Sequence, residues 1–159
     1  MDKSKLTIFV VDDDKYYNTV ISTYLKIKGF KVQSFHSGEE CLQAPHQNPD
    51  VILMDYMMTG IDGITTMCQM KKLCPNAYFI LLSGQTDINI VLDAMHQGAF
   101  DYIMKDNHAK ENALNKIDQI LRFRKVSRDK EMYRKSIIMV VSILAGTWVS
   151  LLVYYFSIK

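Results

Sequence analysis

Cysteine is scarce in this chain and shows no arrangement. Cys41, Cys68 and Cys74 are an odd set without zinc-ligand spacing, so they read as free thiols in a reducing cytosol. Histidine offers no metal centre either. His36, His46, His96 and His108 are scattered, none pairs with a Cys or Asp at ligand spacing, and each reads as an ordinary surface or boundary residue. Internal repeats and low-complexity tracts are absent. A signal peptide is not expected, because the apolar run Leu6 to Val11 is too short for a signal core and leads straight into Asp12-Asp13-Asp14. The last absence is of charge, which is missing from residues 137–156 altogether.

The 159 residues suit one domain with one appendage, and a hydrophobic fraction of 48% supports a full core. Charge divides the chain. Residues 1–120 hold 11 basic and 15 acidic side chains, whereas residues 121–136 hold 7 basic and 2 acidic ones. An acidic domain (1–122) is therefore followed by a basic collar (123–136) and then by the uncharged stretch 137–156. As a helix, 20 residues span about 30 Å, the hydrocarbon thickness of a bilayer. A single transmembrane helix is the resulting expectation. Because the collar precedes it, the expected location is the cytoplasmic membrane, with the N-terminal domain in the cytoplasm. Tyr133, Tyr154 and Tyr155 suit the two interfaces, and Ser142, Gly146 and Ser150 recur at a spacing that permits close helix approach. The collar lacks a helix-turn-helix pattern, so it is read as a contact for anionic membrane lipid and not for nucleic acid.

Within the first 122 residues, apolar runs alternate with amphipathic segments. Strands are expected at 6–11, 31–35, 51–55, 78–82 and 101–104. Helical faces are expected from Tyr17, Val20, Ile21, Tyr24 and Leu25; from Ile64, Met67 and Met70; from Ile88, Val91, Leu92 and Met95; and from Leu114, Ile117, Ile120 and Leu121. A further helix is expected to start at the cap Ser37-Gly38-Glu39-Glu40 and to end by Pro45 and Pro49. Five such units make a doubly wound α/β domain, a parallel sheet with helices on both faces.

Acidic residues close two of the strands: Asp12 and Asp13 follow Val11, and Asp55 follows Met54. In open α/β sheets ligands bind beyond the carboxyl ends of strands. Carboxylates gathered there repel one another unless a cation or proton joins them. A hard ion that binds through a few carboxylates and keeps its waters, Mg²⁺, suits the set. Ser83 ends the fourth strand and Lys105 the fifth. Hydroxyl, ammonium and ion together neutralise a tetrahedral dianion, which describes a phosphoryl-transfer site.

Five motifs in order carry a resemblance: Val11-Asp12-Asp13-Asp14, Val51 to Met58, Ile61-Asp62-Gly63, Leu82-Ser83-Gly84 and Gly98 to Lys105. Across about residues 5–122 the chain resembles a response-regulator receiver domain of the chemotaxis-regulator type. The resemblance implies a flavodoxin-like five-stranded sheet of order 2-1-3-4-5. It implies Asp55 as phosphoacceptor from a histidine kinase or phosphotransfer protein. Asp12, Asp13, Asp55 and the backbone carbonyl of Met57 would hold Mg²⁺. Ser83 and Lys105 would bind phosphoryl oxygens, Ser83 and Tyr102 would form the switch, and Gly84 would leave room for the donor. Such a protein is not an enzyme beyond its own phosphorylation and dephosphorylation; Met57 and Gln85 match positions that tune hydrolysis, and apolar Met57, unable to orient a water, implies slow hydrolysis. Residues 87–97, 101–105 and 108–125 correspond to the face that changes, which is available for a partner or a homodimer. Asp14 reads as a loop or helix-capping acid.

Two residues depart from the family. Asp106 stands where proline usually follows the lysine, and Thr59 replaces a proline four residues after Asp55. Asp106 is expected to compete for Lys105, and Thr59 to loosen the loop from Tyr56 to Gly63. A second reading of the whole chain is an anchored interaction scaffold that uses the receiver fold without phosphorylation.

Overall fold

The strands follow the apolar runs almost residue for residue. In the computed structural model they are β1 (Thr7–Val11), β2 (Lys31–Phe35), β3 (Val51–Asp55), β4 (Tyr78–Ser83) and β5 (Asp101–Met104). The helices are α1 (Lys15–Ile27), α2 (Gly38–Leu42), α3 (Gly63–Leu73), α4 (Ile88–His96) and α5 (Ala109–Ser157), with a 3₁₀ turn at Lys3–Lys5. The structure describes residues 3–44, 48–85 and 87–157, with the side chains at 144 and 149–156 excepted. His46, Lys159 and the side chains of Ser150, Tyr154 and Tyr155 therefore lie outside the described residues.

All strand pairs are parallel and the order is β2-β1-β3-β4-β5. Every residue of β1 and β3 is buried, as continuous apolar runs require of strands covered on both faces. Phe9, Ile52, Met54, Met67, Met70, Phe79 and Leu81 form one core cluster. Cys41 and Cys74 are buried and Cys68 is half-buried, and none of the three forms a disulfide among the described residues.

The inner stripe of α1 differs from the expected one. Asn18, Ile21, Ser22 and Leu25 are its buried residues, while Tyr17 and Tyr24 are only half-buried. The reason is a polar network that a hydrophobic pattern does not register. The Asn18 amide donates to the carbonyls of Phe35 (2.8 Å), Asp12 (3.2 Å) and Val10 (3.4 Å). Ser22 Oγ donates to Asn18 Oδ1 at 3.1 Å and lies 2.7 Å from Ser34 Oγ. In α4, Ala94 is the buried residue, whereas Ile88 and Leu92 remain exposed. That helix is apolar on more than one side, so periodicity does not select the inward face.

The chain divides into two units, one ending at Gln119 and the other beginning at Ile120. Helix α5 runs through the segments expected as collar and span. Among the described residues, no helix is long and apolar enough to cross a membrane. The expected transmembrane helix at 137–156 thus finds no support in the structure. Part of that stretch lies outside the described side chains, and in the second unit Ile137, Val140, Val141, Ile143 and Trp148 are exposed.

Asn18 joins the ends of β1 and β2 beneath the loop that carries Asp12. Replacing it with Ala leaves three buried carbonyls without that donor. Urea titration of Asn18→Ala is expected to show a loss of about 1–3 kcal/mol; unchanged stability overturns this role.

Candidate functional site

Strand order decides what the carboxyl edge brings together. The sheet runs β1-β3-β4-β5, so Asp12 and Asp13, Asp55, Ser83 and Lys105 follow one another along it. The reversal of strand order lies between β1 and β3, where a ligand site is expected. One carboxylate oxygen from each of Asp12, Asp13 and Asp55 lies within 4.8 Å of the others.

Lys105 closes the cluster. Its Nζ lies 2.7 Å from Asp12 Oδ2 and 2.8 Å from Asp55 Oδ2. Lys105 is the one partner of buried Asp12 Oδ2 among the described residues. Asp12 Oδ1 accepts from the Asp14 N–H at 3.0 Å. Asp12 is wholly buried and Asp55 is 4% exposed. Burial pushes the Asp12 carboxyl from its ordinary 3.8 up to about 6, against the pull of Lys105, with the nearby Asp55 adding to the rise. Burial likewise raises Asp55, opposed by Lys105 and by the Met57 N–H. For Lys105, burial works against the charge, but hydrogen bonding and attraction to the two carboxylates outweigh it and hold the ammonium charged.

Asp13 has the opposite environment. Thr59 donates to its Oδ2 twice, from the backbone N–H at 2.8 Å and from the hydroxyl at 2.7 Å. Those two bonds hold its carboxyl below the ordinary range. The expected loosening by Thr59 is therefore corrected. Threonine has the N–H that proline lacks, and it fastens the β3–α3 loop to the β1–α1 loop. Loop and strand also meet at Gly63, whose N–H donates to the Tyr56 carbonyl at 2.9 Å. A Cβ there would fall 2.1 Å from the Asp55 carbonyl oxygen, so only glycine fits this approach.

Asp106 does not take Lys105 from the site. Its Oδ1 accepts from the His108 N–H at 2.8 Å, which gives that carboxylate a local partner at the start of α5. The Lys105–Asp106 bond is trans, since the described residues contain no cis peptide bond. Asp14 is the α1 N-cap, accepting from the N–H groups of Tyr16 and Tyr17.

Ser83 ends β4 almost wholly buried, and its Oγ accepts from the Gln85 N–H at 3.0 Å. Gln85 bridges two other expected residues. Its Nε2 lies 2.9 Å from Met57 Sδ, and its backbone carbonyl accepts from the Tyr102 hydroxyl. Tyr102 is half-buried against the core cluster. Gly84 has open space where a side chain would stand.

The sequence model of the response regulator receiver domain matches residues 8–118. The chain belongs to the response regulator receiver family. The transcriptional regulator NtrC of Escherichia coli K12 is 35% identical over 99 residues, 62% of this chain and 21% of NtrC. A cyclic di-GMP phosphodiesterase of Thermotoga maritima is 30% identical over 132 residues, 83% of this chain and 35% of that protein. The receiver therefore spans about a fifth to a third of the length of these curated relatives. Among solved structures, the BeF3-activated receiver domain of DrrB from Thermotoga maritima superposes with a TM-score of 0.68 at 29% identity, covering 74% of this chain and 97% of that one. A CheY-like receiver from Methanospirillum hungatei, 23% identical with a TM-score of 0.71, matches in fold.

Receivers bind Mg²⁺ at an acidic pocket, and the residues here fit that ion. Three carboxylates face one ammonium, so a divalent charge is what balance still requires. Asp12 Oδ2 is buried with the Lys105 ammonium as its one partner among the described residues, and the donor oxygens are hard. Tyr17, Asn18 and Thr59 were not marked as site residues by sequence. The face of α1 drew attention to Tyr17, but its meeting with Lys105 depends on the sheet order.

The pKa directions set a testable sign. Folded Asp12 and Asp55 bind protons more readily than in the unfolded chain, so without metal the fold gains stability as pH falls from 7.5 through about 6. The gain for Asp12 is about 1–3 kcal/mol by pH 4.5. Mg²⁺ should stabilise the fold at pH 7.5 and lose this effect near pH 5, where protons compete. Denaturation in EDTA and in Mg²⁺ across this range checks both. Metal-free stability that stays flat, or falls on acidification to pH 5.5, overturns the assignment.

Proposed function

We propose that this receiver is a Mg²⁺-dependent phosphoacceptor held at the cytoplasmic membrane. The observation that carries the reading is the convergence of Asp12, Asp13, Asp55 and Lys105 at one sheet edge, with Ser83 at the end of the adjacent strand. The phosphodonor is a histidine kinase or a phosphotransfer protein. A carboxylate oxygen of Asp55 forms the new P–O bond as the P–N bond to the donor imidazole breaks, and the imidazole leaves with that electron pair. Asp12, Asp13, Asp55 and the Met57 carbonyl hold the ion, whose charge offsets the phosphoryl oxygens when it is bound. Lys105 transfers its pairing from Asp55 to a phosphoryl oxygen. Ser83 exchanges its bond from the Gln85 N–H for one to the phosphoryl group, and Tyr102 follows it inward.

Autodephosphorylation is slow in this reading. Met57 has no group to orient a water, and the Gln85 amide is engaged with the Met57 sulfur. A phosphoryl lifetime of only seconds contradicts it. The chain acts on no free small substrate.

The membrane placement rests on sequence, namely 20 uncharged residues behind a basic collar that meets anionic lipid. Confinement raises the effective concentration of receivers without adding contacts. Phosphorylation then favours pairing through the face formed by α4, β5 and the first turns of α5, where Ile88, Leu92 and Met104 are exposed.

Beryllofluoride or acetyl phosphate with Mg²⁺ tests the chemistry. Wild type should shift on a Phos-tag gel and in tyrosine fluorescence, and Asp55→Asn should do neither. No response in wild type, or the same response in the variant, leaves the scaffold reading in its place. The full chain should float with liposomes, whereas residues 1–136 should remain soluble. On phosphorylation the full chain should dimerise more readily than residues 1–125. Equal flotation sinks the anchor, and equal dimerisation sinks planar pairing.

A further inference from the structure

The Lys105 ammonium has three donors. Two are accounted for by carboxylate oxygens of Asp12 and Asp55 at 2.7 and 2.8 Å. Nζ also lies over the Tyr17 ring, 4.6 Å from its centroid. That separation is within cation–π range. The Lys105 side chain is 16% exposed, so water screens the contact little. The backbone that carries the ring is fixed, because Asp14 caps α1 by accepting the N–H of Tyr17 (3.2 Å) and of Tyr16 (2.9 Å). Asp14 is tied in turn to Asp12 through its own N–H. The ring thus stands on the same loop that presents the acids.

We propose that Tyr17 is a positioning residue for Lys105: the face of its ring holds the ammonium over the pocket while the carboxylates beneath it exchange partners. The proposal rests on the phosphoacceptor reading, in which Lys105 must release Asp55 and take a phosphoryl oxygen. During that exchange the Asp55 contact changes. The ring contact does not, because the ring is neutral and takes no part in the chemistry. Aliphatic packing on the lysine stem would leave the head free to follow either carboxylate.

The hydroxyl of Tyr17 sharpens the test. It is buried and has no hydrogen-bond partner, so it does not hold the ring in place. Tyr17→Phe therefore keeps the interaction and removes a buried unsatisfied group. Tyr17→Leu keeps an apolar side chain and removes the π face. Tyr16, which is 79% exposed, supplies the neighbouring control as Tyr16→Leu.

Two measurements on the full chain decide the matter. The first is the ¹H–¹⁵N signal of the Lys105 ammonium without phosphodonor. Wild type and Tyr17→Phe should show it displaced upfield by the ring current, and Tyr17→Leu should lose the displacement. The second is the rate of phosphorylation by phosphoramidate with Mg²⁺. Tyr17→Phe should stay within about twofold of wild type, and Tyr17→Leu should slow by roughly three- to tenfold. Tyr16→Leu should match wild type in both. If Tyr17→Leu does not fold, Tyr17→Met takes its place with the same expected losses. A wild-type signal without ring-current displacement, wild-type phosphorylation in Tyr17→Leu, or equal defects in the Phe and Leu variants overturn the proposal. If wild type accepts no phosphoryl group at all, the phosphoacceptor reading fails. The ammonium signal then decides positioning alone: dependence on the ring supports it, and independence overturns it.

Discussion

One half-buried ammonium organises the carboxyl edge of the sheet. Lys105 meets Asp12 and Asp55 where neither acid has much water, and both carboxyls rise above their ordinary range in spite of it. Attraction in such a place does not repay desolvation fully, yet removing one partner leaves the others stranded. The pocket is therefore held under electrostatic strain by the fold around it. Registers between β1, β3, β4 and β5 bring the charges together. The apolar core beneath supplies the free energy that holds them there. A site with three carboxylates and one cation is unfinished by two charges, and that deficit is its capacity to accept a divalent ion.

The two residues that depart from the family act differently in the structure from what their chemistry suggested in isolation. Thr59 puts both of its donors on Asp13 and ties two active loops together across the site. Asp106 accepts a backbone N–H at the start of α5 and leaves Lys105 to the pocket. Both were judged from what proline would have supplied, which is rigidity. Threonine and aspartate supply hydrogen bonds, and whether these form depends on which groups stand opposite. The β3–α3 loop is consequently braced through a side chain that is also placed to ligate metal. Ordering the loop and fixing Asp13 are one event here.

Much of this was legible before any coordinates. Strands announce themselves by apolar runs, and Asp12, Asp13, Asp55, Ser83 and Lys105 announce themselves by standing at strand ends. What escaped was polar matter inside the core and contacts made across the sheet. Asn18 and Ser22 look like solvent-facing residues in a hydrophobic pattern, but they are buried because carbonyls at the ends of β1 and β2 need donors. Helix α4 misled for the opposite reason. With apolar residues on several sides, its inward face is chosen by Ala94, small enough for close packing, while Ile88 and Leu92 stay outside. Tyr17 was visible as one of a helix face, but its meeting with Lys105 requires the strand order that brings β5 to that side of the pocket. At 137–156, hydropathy alone raised the expectation of a membrane helix, and the structure does not supply the second line of support that the strand-end residues received.

The geometry also explains why Asp55, among three neighbouring acids, is the one suited to carry a phosphoryl group. Asp12 is wholly buried, and its two oxygens are engaged by the Asp14 N–H and by Lys105. Asp13 is ionised and tied through one oxygen to Thr59, a good arrangement for a ligand and a poor one for an atom that must move into bonding distance. Asp55 stands on β3, between the acids of β1 and the Ser83 hydroxyl of β4. A group bonded to Asp55 would lie between the acids of β1, which would hold the ion, and Ser83 of β4, with Lys105 already at the Asp55 oxygen. Bonded to either other acid, it would sit farther along the edge from the Ser83 hydroxyl, which accepts from Gln85, the residue whose carbonyl accepts from Tyr102. In the phosphoacceptor reading, nucleophile and switch would thus be coupled by strand order, because the acid that accepts the group would be the one beside the strand that responds.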